Sequence, residues 1–272
     1  MKWLFLFLAL PCLAQLPVVP DTTPPSSTVT NTPPFANLVA WYKHDAGKFQ
    51  DLSGTPAGTN TPVRVWQDQT ANHFDLTNVG TATKWPTNVF ASPSGTNMSV
   101  FFSDSAWSGT DGCILSNAAA VFSAAPYTFF AVIRKTGNNT ISTHTGVIAL
   151  DVYNTNNLGI TVQNISSPLP ECLTPAGVTT YSANPMTLNQ WYVLTFVADT
   201  SNMTFRTNGV PLSAPPGGGT LFQSFGIHMG SGPIGGTFRE SLIGDIVEVL
   251  VYQGNETGTA QLTNTETYLF GL

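Results

Sequence analysis

The sequence predicts an all-β fold, a sandwich or a barrel, on three observations. About a dozen short runs rich in Val, Ile, Phe, Tyr and Trp recur along the chain. Turn residues separate them, among 24 Gly and 20 Pro in 272 residues. No stretch keeps a long helical period. The anchor is Gly244 to Tyr252, GDIVEVLVY, which reads as a strand in the middle of a sheet. Its period of two places Ile246, Glu248, Leu250 and Tyr252 on one face. Asp245, Val247, Val249 and Val251 fall on the other, and the valine face is expected to pack on a core.

The remaining elements follow in order. Met1 to Ala14 carries one lysine, an apolar run from Trp3 to Leu10, and Cys12-Leu13-Ala14. This is a short secretory signal with cleavage expected after Ala14. The apolar run is about half the roughly 20 residues that a membrane span needs. Residues 15–35 are rich in Pro, Thr and Ser, with Pro24-Pro25 and Pro33-Pro34 favouring extended polyproline geometry. They read as a tether, or as a leader without consequence. Residues 36–272 are the folded domain.

Asn37 to Lys43 is its first strand, and Asp45 to Pro62 is loop. Val63 to Trp66 is a short strand, followed by a turn at Asp68 to Asn72. Ser99 to Phe102 is a strand that opens into a polar loop, Ser105 to Gly112. Tyr127 to Arg134 places Tyr127, Phe129, Ala131 and Ile133 on one face. Gly146 to Val152 and Leu158 to Val162 are strands, and Ser166 to Pro175 is a loop. Gln190 to Ala198 is the second strongest strand. Thr207-Asn208-Gly209, between Met203–Arg206 and Val210–Leu212, is a hairpin turn. Phe225 to Met229 is a short strand, and Thr259 to Leu269 forms a helical turn or two.

Composition limits the function. Charged residues are 9% of the chain, against roughly 25% in average domains. Solubility therefore comes from Thr, Ser, Asn and Gly, a habit of extracellular β-proteins. The net charge is −6 with 9 Lys and Arg in all, too few to build a groove that tracks nucleic acid. After cleavage two cysteines remain, Cys113 and Cys172. They either pair, at a gain of about 4 kcal/mol in the chain-entropy model, or stay as two buried thiols. Pairing needs their Cα atoms within about 7 Å.

The order of several motifs resembles the concanavalin A-like lectin/glucanase superfamily, in its laminin-G-like branch of secreted bacterial proteins. The motifs are Leu38 to Lys43 with Asp45-Ala46-Gly47, Val65 to Gln69, and Val100-Phe101-Phe102 before Ser103-Asp104. They continue in Thr128 to Val132, Trp191 to Leu194, Asn208-Gly209-Val210, and Gly244 to Glu248 through Val251-Tyr252. The resemblance covers about Asn37 to Leu272. It implies a two-sheet antiparallel jelly-roll sandwich with first and last strands adjacent. It implies little for function, because this fold hosts lectins, adhesion modules, hydrolases and lyases. A glycine commonly follows the aspartate matched by Asp104, and here Ser105 stands there.

The candidate chemistry divides into binding and catalysis. A sugar site needs an aromatic platform and a few polar groups. Trp107, flanked by Asp104 and Asp111 with Ser105, Ser108 and Thr110, supplies both. Such an oxygen-rich loop could also hold calcium. The plainer reading is a solvated loop with one tryptophan folded onto the sandwich.

Glycoside hydrolysis needs two carboxylates facing one sugar. Asp245 and Glu248 are three apart, so a regular strand points them to opposite faces. Glu248 is expected to accept hydrogen bonds from the first strand or a loop. Lyases of similar fold use inner-strand His, Tyr, Arg and Gln. Here Gly226-Ile227-His228 and Arg239 are faint echoes, and His228 reads better as a satisfied strand histidine. His73 and Asp75 read as turn residues, and Trp41, Trp66 and Trp191 as core. The expectation is an exported, non-catalytic binding or adhesion module that takes glycan at the cell surface. The alternatives are a glycoside hydrolase or polysaccharide lyase on the same fold, and a self-assembling surface protein.

Overall fold

The computed structural model of the chain describes residues 33, 36–78, 84–103, 113–123, 126–138, 144–150, 158–174, 177–180, 185–199, 203–212, 224–230, 232–234, 237–239 and 242–272. The signal and tether expected over 1–35 lie outside these residues, except for Pro33, which is buried.

In chain order the strands are β1 (Leu38–Tyr42), β2 (Lys48–Phe49), β3 (Thr61–Pro62), β4 (Val65–Trp66), β5 (Leu76–Asn78), β6 (Thr87–Phe90) and β7 (Met98–Phe102). Next come β8 (Leu115–Phe122), β9 (Tyr127–Lys135), β10 (His144–Leu150), β11 (Leu158–Gln163), β12 (Pro170–Thr174), β13 (Gly177–Thr180) and β14 (Trp191–Ala198). The last are β15 (Thr204–Thr207), β16 (Val210–Pro211), β17 (Ser224–Met229), β18 (Gly232–Ile234), β19 (Thr237–Arg239) and β20 (Gly244–Gln253), followed by α1 (Ala260–Phe270).

Two nine-stranded antiparallel sheets form the expected jelly-roll sandwich. The first sheet runs β16-β15-β14-β9-β20-β7-β6-β3, with β1 paired to β20. The second runs β13-β12-β11-β10-β17-β8-β5-β4-β2. First and last strands are adjacent, Trp41 opposite Leu250. β20 is buried along nine of its ten residues. It pairs with β9 over its length, with β7 at its start and with β1 at its end.

Between the sheets lies one core. Tyr127, Phe129, Ala131 and Ile133 of β9 meet Ile160, Val162, Ile227 and Met229 of the second sheet. Each of the Val, Ile, Phe and Met side chains contributes about 1.5–3 kcal/mol by leaving water. A second apolar cluster covers the outer face of the first sheet. There Trp41, Phe130, Val132, Leu250 and Tyr252 lie under Leu262, Tyr268 and Leu269 of α1. The helix is started by Thr259, whose side chain accepts from the Leu262 N–H at 3.2 Å. The Asn208-Gly209 hairpin forms as expected. Both residues have left-handed φ, 50° and 75°, the conformation that a two-residue primed turn requires.

Three expectations need correction. First, β20 is not regular. Its register against β9 shifts between Ile246 and Glu248, so Val247 is a bulge. Ile246 then joins Val249 and Val251 in the inter-sheet core, while Val247 joins Leu250 and Tyr252 beneath the helix. Second, Cys113 and Cys172 do not form a disulfide. Cys172 of β12 is in line, through Ile160, Ile148 and Met229, with Leu115 of β8. Four strand spacings of about 4.8 Å put Cys172 roughly 19 Å from Leu115, with Cys113 two residues beyond it, far outside disulfide reach. Third, 166–175 is not all loop, because Pro170–Thr174 is β12 and pairs with β11. Its proline is the first strand residue, where a missing N–H is tolerated.

Candidate functional site

The residues picked out as a sugar platform, Trp107, Asp104 and Asp111, lie outside the described residues. The two strands that carry their loop are described. β7 delivers the chain at Phe102, opposite Gly244, and β8 takes it up at Leu115, opposite Met229. Both points lie at one end of the sandwich.

That same end of the second sheet holds a polar cluster on its outer face. Ile160, Val162 and Cys172 point into the core, so Thr161 of β11 and Glu171 of β12 point outward. They stand opposite each other, and Gly146 of β10 stands on the other side of Thr161. His144, opposite Gln163, begins β10. Its Nδ1 lies 2.6 Å from Glu171 Oε2, so the pair spans the backbone of β11. The Glu171 side chain is fully buried, whereas that of His144 is 27% exposed. This short contact holds the imidazole ring in one orientation.

The floor beside this pair is made of small residues, Gly146, Ala149, Gly159 and Thr161, all buried. Gly159 is required there, because a Cβ would sit 2.0 Å from the Ile148 carbonyl oxygen. The Thr161 hydroxyl has no partner among the described residues. On the same face His228 pairs with Ser116, Nδ1 to Oγ 2.9 Å, both nearly buried. His228 is therefore the satisfied strand histidine expected. The side chain of Arg239 is not among those described.

A second polar centre lies under α1. Glu248, fully buried, accepts from Trp41 Nε1 and Tyr268 Oη, both at 2.6 Å. Its other oxygen lies 2.6 Å from His44 Nδ1. The carboxylate thus ties the first strand, the last strand and the helix together, the hydrogen-bonding role expected of it. Lys48 donates its Nζ to the His44 carbonyl. Burial lowers the Lys48 ammonium from 10.5 to about 8 against the opposing pull of Asp45 and Glu248. Burial and the Glu248 charge push the Tyr268 phenol well up.

The bulge at Val247 also changes the carboxylate geometry. Asp245 and Glu248 end on the same outer face. Asp245 accepts from Arg134 at 2.8 and 2.9 Å and from Ser99 at 3.1 Å. Burial raises its carboxyl, and Arg134 and Ser99 oppose that shift. The two acids share a face, yet each is committed to its own structural partners. His73 is an exposed turn residue with φ 52°, and Asp75 accepts from the Asp68 N–H. Trp41 and Trp66 are core, whereas Trp191 is only partly buried.

The His144–Glu171 pair has no signature in the sequence, since the residues are 27 apart and the stretch that carries Glu171 reads as loop. Among the described residues no three His, Cys, Asp or Glu side chains converge as metal ligands. The calcium expectation therefore concerns the stretch 104–112.

No protein-family model and no curated protein sequence matches the chain. Solved structures match in fold. A Trypanosoma rangeli sialidase in complex with sialic acid aligns at 12% identity and TM-score 0.52, over 87% of this chain and 33% of that one. An arabinofuranosidase complexed with arabinofuranosyl-α-1,2-xylobiose aligns at 13% identity and TM-score 0.56, over 79% of this chain and 52% of that one. A botulinum neurotoxin type C structure, described as entering cells through two ganglioside molecules, aligns at 8% and 0.52, over 85% and 50%. The chain thus spans about a third of the sialidase and half of the other two. At these identities the likeness is one of fold, a β-sandwich. No helix among the described residues is long and apolar enough to cross a membrane.

Proposed function

We infer that this chain is an exported carbohydrate-binding module that takes glycan at the end of the sandwich where β7 passes to β8. One observation carries the reading. His144 is held by the buried carboxylate of Glu171 on the outer face of the second sheet, at the end where the Trp107 loop is attached. A fixed imidazole is a directional hydrogen-bond partner for sugar hydroxyls. Trp107 would supply the stacking face, with Asp104 and Asp111 as polar rim or as calcium ligands. The other broad face is already roofed by α1. The matched sialidase, arabinofuranosidase and toxin structures are named for sugar or ganglioside ligands, which agrees with this choice. The signal over 1–14 and the tether over 15–35 suit a secreted or surface-attached head, with adhesion as its role.

A second reading has one observation in its favour. A carboxylate-oriented histidine is also a general base, as a polysaccharide lyase requires. A polysaccharide screen with and without calcium, following product release in the same wells, separates the two. Binding without product is the expected result. Product release that is lost in His144→Ala would make the chain a lyase. Absence of any binding, with large oligomers on size exclusion, would favour a self-assembling surface protein.

A further inference from the structure

A groove of about 230 Å³ lies on the outer face of the first sheet, beside the last turn of α1. Trp191, Tyr192, Asn208, Pro93, Leu269 and Phe270 line it. The Arg134 guanidinium stacks on the Trp191 ring at 4.7 Å, and Asp245 holds Arg134 in turn. The tryptophan is thereby fixed. Phe270 is 49% exposed at the rim. None of these residues belongs to the His144–Glu171 cluster.

We propose that this groove docks the chain's own proline-rich segment, residues 17–25, Pro17-Val18-Val19-Pro20-Asp21-Thr22-Thr23-Pro24-Pro25. The chemistry matches. A polyproline II helix has three residues per turn, so Pro17 and Pro20 stand on one ridge, and such ridges seat in aromatic-lined grooves.

The reach is sufficient. The carbonyl of Ala36 accepts from Gln261 Nε2 at 2.8 Å, in the first turn of α1. The groove lies at the far end of this 11-residue helix, about 16 Å away at 1.5 Å per residue. Residues 25 to 36 can extend to about 34 Å at 3.1 Å per residue. Pro33 is buried, so the chain still lies against the body just before the domain begins. A tether this short gives an effective concentration of order mM, so a weak contact suffices for occupancy.

Native-state proteolysis of the full chain with thermolysin tests this, because thermolysin cuts before Val18 and Val29, whereas Pro20 blocks the bond before Val19. The cut at Val18 should be slow in the wild type. It should speed up about tenfold in Phe270→Ser and in Trp191→Ala, as the open fraction rises. Val29, outside the docked segment, serves as the internal reference. Phe270 is a surface residue, so an unchanged Tm in Phe270→Ser separates undocking from unfolding. An excess of synthetic 15–34 peptide should release the segment in the wild type. Equal cutting at Val18 and Val29 in all three proteins would overturn the proposal. Protection that disappears on dilution would also overturn it, by assigning the groove to a second copy of the chain.

Discussion

Glu248 shows what one residue decides in this fold. Its carboxylate accepts from an indole, a phenol and an imidazole that come from separate elements. Hydrogen bonds to a buried charge contribute about 1.5–3 kcal/mol each, and an orphaned partner costs more. Glu248→Gln should therefore destabilise by about 3 kcal/mol in urea unfolding. A loss under 1 kcal/mol would show that the cage is not a determinant of stability. Lys48 makes a prediction about pH. Lys48 and Lys135 fall from 10.5 to about 8 on folding, chiefly through burial. Between these values the unfolded chain binds more protons than the folded one, so stability rises with pH from about 8. Above about 10 the sign reverses. Tyr42, Tyr252 and Tyr268, raised by burial, keep protons that unfolded phenols release. Lys48→Met, which removes the ammonium that lies over the Trp66 ring, should flatten the rise between pH 8 and 10. An unchanged pH profile would contradict this assignment.

Elements differ in how far the sequence disclosed them. β9, β14 and β20 are rich in β-branched and aromatic residues and were legible from composition alone. So was the β15–β16 hairpin, because Asn-Gly accepts the left-handed φ that the turn demands. β8 was not legible, since Asn117-Ala118-Ala119-Ala120 has low β propensity, and its register against β17 breaks there, between Asn117 opposite Ile227 and Val121 opposite Phe225. The bulge at Val247 could not be read from periodicity, which assumes a regular strand. It marks where β7 ceases to pair with β20 and β1 takes over. The His144–Glu171 site was hidden for a similar reason, as cross-strand neighbours follow from sheet order and not from spacing. α1 was underestimated as a turn or two. It covers Trp41, Phe130 and Tyr252, so deleting 259–272 should expose that face and make the protein aggregate. Thr259→Ala should cost about 1 kcal/mol as a lost N-cap, read from the midpoint of chemical unfolding. A soluble, monomeric deletion would show that α1 is dispensable.

At the scale of the whole molecule, one face of the sandwich is sealed by a helix and the other carries the polar pairs. The proposed site uses the polar pairs, at the end of the second sheet where His144 is still 27% exposed. Export is checked separately. N-terminal sequencing of the secreted protein should begin at Gln15, and a chain that begins at Met1 would remove the signal from the account. Glycan recognition at the His144 end is tested most directly by the affinity of His144→Ala and Trp107→Ala for the best ligand of the screen, with Trp191→Ala as a control on the opposite sheet. A loss of about tenfold or more is expected in the first two and little change in the third. Equal affinity in wild type, His144→Ala and Trp107→Ala, or a loss confined to Trp191→Ala, would contradict it.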